Sequence, residues 1–214
     1  MKLNNQWVMP VCIGIMLVTS LILYPSLPDE LPIHWNLSGE VDDTAPKAIA
    51  VFIMPLVAIL VFASTYIVPM IDPRRDSYEK FAPSYERVRL ALVMFMVGIH
   101  IIMLTQYDNP QALIRLLLFA VSLLLAVIGN EMGRFRPTWF TGIRTPWTLA
   151  DERVWRKTHR VGARWFVGMG LTNMLVSLIL PLQAVGIVII ITTVTVSLGL
   201  VAYSYFVYRH INTV

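Results

Sequence analysis

Between Gly142 and His159 the chain reads Gly-Ile-Arg-Thr-Pro-Trp-Thr-Leu-Ala-Asp-Glu-Arg-Val-Trp-Arg-Lys-Thr-His, the densest polar text in an otherwise apolar sequence. Its chemistry is a rigid turn, a helix start and a cationic face. Pro146 stiffens the turn, and Thr148 reads as an N-cap with Asp151 three residues on in a box-like position. Asp151 and Glu152 then fall in the first turn, where the helix dipole favours anions, so a short helix is expected from Leu149. Arg153, Arg156 and Arg160 recur at three- and four-residue spacing, with Val154, Trp155, Thr158 and Val161 on a less polar side. That pattern suits an interfacial helix with snorkelling cations, a surface for anionic lipid or an acidic protein. Part of the charge serves only to orient the chain in a membrane.

A second polar segment, Leu27 to Asp43, carries Pro28, Pro32, His34, Trp35, Asn36, Gly39, Glu40 and Asp42. Proline fixes extended or turn geometry and Gly39 permits a reversal, so an ordered surface loop is expected. One histidine with carboxylates at irregular spacing is a weak metal signal, and a structural loop is the better reading. No metal or cofactor is expected. Cys12 stands alone, which excludes an internal disulfide. Catalytic templates fail throughout: there is no Gly-x-Ser-x-Gly, no His-Glu-x-x-His and no phosphate-binding glycine loop. The chain is expected not to be an enzyme.

The elements that must position these segments are apolar helices. Of 214 residues 57% are hydrophobic and 14% charged, against about a quarter charged in soluble domains. Six runs approach the roughly 20 apolar residues a crossing needs: Trp7 to Tyr24, Ile49 to Ile71, Val88 to Tyr107, Ala112 to Met132, Val161 to Leu180 and Ala184 to Phe206. Arginines and lysines crowd the connections after the second and fourth runs, while Pro25 to Pro46 has acids and no Lys or Arg. The positive-inside rule then places both termini and the Gly142 stretch in the cytoplasm. The expected fold is all-α: a six-transmembrane-helix bundle with a short cytoplasmic interfacial helix before the fifth span. It is divided into a half over 1–110 with the outer Pro-rich loop and a half over 111–214. The location follows as a multi-pass protein of a bacterial inner or cytoplasmic membrane. Net charge of +4 is explained by this topology without direct nucleic-acid binding.

Polar residues inside spans are functional suspects by default. They are His100, Arg115, Asn130 and Asn173. Arg115 lies near enough to the outer interface to snorkel or meet Asp108, and His100 and Asn173 are placed to bond across the bundle. If they lined one polar path, the chain would be a small transporter or channel. A lipid-interacting structural protein is the third class.

Phe140 to Leu149, with Asp151-Glu152, Val154-Trp155 and Asn130 upstream, resembles the signature of the SdpI family of bacterial membrane immunity proteins. Leu27-Pro28, Leu31-Pro32, His34-Trp35 and Gly39 resemble the domain of unknown function in the N-terminal half of that family. The resemblance implies resistance to a secreted peptide toxin outside, and capture of a small DNA-binding repressor at the membrane inside. It implies docking at Arg144, Thr145, Pro146, Trp147, Thr148, Asp151, Glu152, Trp155 and Arg156. Outer sensing would fall to Pro32, His34, Trp35, Asn36, Gly39 and Asp42. Membrane lipid is the remaining expected partner, and the sequence does not give the oligomeric state.

Overall fold

A computed structural model describes residues 7–36 and 40–212; Gly39 lies outside the described residues. Among the described residues helices dominate, with one hairpin and a non-helical stretch over 133–145. Its elements are α1 (Val8–Leu23), β1 (Glu30–Trp35), β2 (Val41–Pro46), α2 (Lys47–Ile71), α3 (Asp76–Glu79), α4 (Ala82–Thr105), α5 (Pro110–Met132), α6 (Pro146–Ala150), α7 (Glu152–Ile179) and α8 (Leu182–Asn212). Among the described residues five helices are long and apolar enough to cross a membrane: Val8–Ser26, α2, α4, α5 and α8. The expected fifth span, Val161 to Leu180, falls in the C-terminal part of α7, which is not among these five; the first turns of α7 are cationic.

Two helix groups share α4. The first is α1, α2 and α4, packed through Met9, Cys12, Ile13, Met16, Ala58, Val93 and Val97. The second is α5, α7 and α8, joined to the first where α4 meets α5. The α5–α7 contact is the most extensive because glycines let the backbones close. A Cβ on Gly129 would lie 2.8 Å from the Val167 nitrogen, and one on Gly170 2.7 Å from the Ala126 nitrogen. Small residues at such crossings replace the hydrophobic drive that lipid removes.

The expected outer loop is a short antiparallel hairpin, a minor departure from an all-α chain. Glu30 pairs with Pro46 and Trp35 with Val41, with irregular register around His34. Pro32 cannot donate to a ladder, which suits this broken, two-stranded edge. The hairpin rests on α2 and α4 through Leu27, Leu31, Ala45, Ala50, Val51 and Leu104. At the other end of α4, Tyr78, Phe81, Val88, Met132 and Phe135 form a separate aromatic cluster. With 24 residues in α4 and about 1.5 Å of rise per residue, the two polar segments stand roughly a bilayer apart.

His100, Asn173 and Arg115, expected within the spans, bond across helix pairs, although the Asn173 Nδ2 is buried without a partner. His100 Nε2 lies 3.1 Å from both Ser20 Oγ and the Met16 carbonyl, tying α4 to α1. Asn173 Oδ1 accepts from Thr192 Oγ1 at 3.1 Å, tying α7 to α8. Arg115 neither snorkels nor meets Asp108: its guanidinium donates to the carbonyls of Ser177 and Leu180, the unsatisfied end of α7. Asn130 is exposed and donates to Glu131 Oε1.

Candidate functional site

The basic end of the bundle is closed by residues 133–151, which leave α5, cross over the helix ends and return as α7. Local capping decides the path. The structure corrects the expected N-cap: Thr145, not Thr148, caps α6, because Pro146 with its fixed φ starts the helix one residue later. Thr145 Oγ1 accepts from the Thr148 N–H at 3.2 Å while Thr148 Oγ1 accepts from the Thr145 N–H at 2.9 Å, a reciprocal capping box. Asp151 belongs to the next helix, accepting from the Arg153 N–H at 2.7 Å. The Arg153 guanidinium beside Asp151 also holds its carboxyl below the ordinary range. The expected helix from Leu149 is therefore two helices, α6 and the first turns of α7, broken at Asp151.

Three anchors fix this cap to the bundle. Thr145 Oγ1 lies 3.0 Å from Ser204 Oγ on α8. Trp155, fully buried, donates from its indole N–H to the Phe135 carbonyl at 3.0 Å. Asp72, just past α2, accepts from the N–H groups of Arg74, Trp139 and Phe140 and from the Tyr78 hydroxyl. It is 2% exposed, so a carboxylate from the first helix group organises a loop of the second.

His159 supplies the fourth anchor, and its protonation state is set by its neighbours. The ring stacks on Trp155 with centroids 4.0 Å apart. The Ile143 N–H, a donor, points at Nε2 from 2.9 Å, and the Trp155 carbonyl, an acceptor, lies 2.9 Å from Nδ1. Only the neutral tautomer with hydrogen on Nδ1 satisfies both. Burial pushes the imidazole down to about 4, partly opposed by the Trp155 carbonyl. Gly142, at φ 114°, lets the chain pass over this ring; a Cβ there would lie 2.5 Å from Nε2.

The candidate docking residues divide by exposure. Thr145, Thr148 and Trp155 are buried and build the cap, so they offer nothing to a partner. Trp147 and Asp151 are half-buried, and Trp147 packs on Tyr205. Arg144, Pro146, Glu152 and Arg156 are exposed; Arg144 donates to the Trp139 carbonyl at 2.6 Å and Arg156 pairs with Glu152 at 3.2 Å. Sequence reasoning passed over Asp72 and gave His159 no role. The signal for Asp72 was its place in Asp-Pro-Arg-Arg, directly after a span, where a carboxylate can receive turn N–H groups.

At the hairpin, His34 Nδ1 and Asp42 Oδ1 are 2.6 Å apart, and Asn36 Nδ2 donates to Glu40 Oε2 at 2.9 Å. Pro32 and Trp35 are half-buried. The carboxylates thus face separate partners, and among the described residues no three His, Cys, Asp or Glu converge.

The two polar segments also carry the likeness to known proteins. A domain of unknown function, DUF1648, matches residues 11–59, spanning the hairpin, and the SdpI/YfhL protein family matches residues 134–204, spanning the cap. No solved structure matches the chain. Over 212 residues it is 27% identical to "Immunity protein SdpI" of Bacillus subtilis (strain 168), with 99% of each chain covered. The likeness therefore runs along the whole chain, and this membrane protein is similar to the SdpI/YfhL protein family over its cap-bearing part and to DUF1648 over its hairpin-bearing part.

Proposed function

We propose that the chain is a multi-pass protein of a bacterial cytoplasmic membrane that gives immunity to a secreted peptide toxin and performs no catalysis. The likeness along 99% of both chains to a protein named for immunity carries this reading. The C-terminal part of α7 is the sixth crossing, and both termini and the basic cap face the cytoplasm, where positive loops concentrate. The acidic hairpin then meets the outside, as the sensing surface. The cap retains a small DNA-binding repressor at the membrane through its exposed residues, Arg144, Pro146, Glu152 and Arg156.

Cells lacking their own copy, expressing the chain and challenged with the peptide toxin of the encoding organism, should survive where empty-vector cells do not. Equal killing of both would refute the immunity reading. Repressor capture is tested separately, by recovering the neighbouring regulator with membranes before and after toxin. The double variant Arg144→Gln and Glu152→Gln should release the regulator while leaving survival intact. Undiminished capture would remove the cap from that role.

A further inference from the structure

A cavity of about 450 Å³ opens between the start of α4, the end of α5 and the first turns of α7. Lys80, Arg87, Arg134, Arg136, Arg156 and Arg160 line it, with the buried Ser84 hydroxyl, and no carboxylate does. Two acids temper this field from the edge. Glu131, 4% exposed, accepts from Arg87 at 2.8 Å and Arg134 at 3.2 Å, and Glu152 pairs with Arg156. Lys80, Arg136 and Arg160 have no carboxylate partner among the described residues. Arg136 is half-buried besides.

Like charges brought together around a concave surface repel, and a focused positive field raises the local concentration of anions. Guanidinium forks match phosphate oxygens in bidentate geometry. The site also lies where spans α4 and α5 end, with the exposed rings of Trp139 and Phe140 on the same cap, an arrangement that belongs at headgroup depth. Basic pockets between helices at that depth are suited to anionic lipid heads.

We propose that this cavity binds the phosphate of an anionic phospholipid, with Arg136 and Arg160 as its principal ligands and Lys80 at its rim. The lipid would supply the counter-charge the protein omits. The site does not depend on toxin immunity: it requires only that the chain be embedded in a membrane.

The test uses the full chain in detergent, measuring retained lipid by native mass spectrometry after titration with phosphatidylglycerol or phosphatidylcholine. Wild type should retain phosphatidylglycerol in preference. Arg136→Gln and Arg160→Gln should each weaken that retention by roughly fivefold, and leave phosphatidylcholine unchanged. Arg160 is exposed, so its variant serves if the Arg136 variant fails to fold. Arg75→Gln, outside the cavity, should have no effect. Equal retention of the two lipids would overturn the proposal, as would an equal loss in the Arg75 variant, which would signal diffuse surface charge. Inorganic phosphate protecting the chain against heat while phosphatidylglycerol does not would assign the cavity to a free anion and overturn the lipid assignment.

Discussion

His159 and Asp72 show how single polar side chains hold the basic cap in place, and they do so with opposite electrostatics. His159 must remain neutral, because a proton on Nε2 would face the Ile143 N–H. Its folded value near 4 lies below the ordinary 6.5, so the unfolded chain binds the extra proton first as pH falls. The stabilisation is whole above about pH 6.5 and is lost progressively toward pH 4, by about 3 kcal/mol for a shift of this size. Apparent unfolding midpoints in detergent, followed from pH 7.5 to 4, should decline across that window. His159→Phe, which cannot titrate, should start lower and lack that component. Asp72 instead uses both carboxyl oxygens to accept from three N–H groups and a hydroxyl. Asp72→Asn should cost about 1–3 kcal/mol and expose residues 138–141 to limited proteolysis.

At the level of elements, α7 combines a cationic start, a tightly packed middle and a capped end. Its glycines make this distinction measurable. Gly170→Ala would drive a methyl to 2.7 Å from α5 backbone atoms, an overpacking worth about 1–3 kcal/mol or more. Gly168→Ala on the same helix meets nothing within 4 Å and should be neutral or stabilising by up to about 1 kcal/mol. Comparing the two thermal midpoints checks the close approach of α5 and α7. Arg115 completes the picture at the other end. Arg115→Met keeps the apolar stem but leaves the Ser177 and Leu180 carbonyls unpaired, at a cost of about 1–3 kcal/mol.

On the scale of the whole molecule, α4 separates an acidic hairpin from a basic cap and touches both helix groups. His100 binds α4 to α1, whereas Asn173 and Arg115 act among α5, α7 and α8, so these polar residues serve two different interfaces. The hairpin is held by apolar residues beneath it, not by its surface ion pair. His34 and Asp42 side chains are 68% and 41% exposed, and such pairs contribute about 0–1 kcal/mol. His34→Ala should therefore leave expression and the unfolding midpoint unchanged. Under the immunity reading it should lower survival on toxin challenge, and full survival would remove His34 from the sensing surface.

The sequence alone determined the long apolar helices and where the polar segments lie between them. Both follow from local quantities: apolar run length, loop charge, proline and capping residues. Even the correction at Thr145 was legible, since proline at a first helical position marks the residue before it as the cap. The resemblance in Phe140 to Leu149 likewise lies in contiguous text. What only the tertiary structure decided depends on residues far apart in the chain. Asp72 meets Trp139 and Phe140, Thr145 meets Ser204, and Arg87 meets Glu131 because helix packing brings their ends together. Exposure was decided the same way, turning Thr148 and Trp155 from candidate contacts into interior supports. The gathering of cations from Lys80, α4, residues 133–136 and α7 around one cavity has the same origin, because charge along a sequence does not record which charges face each other.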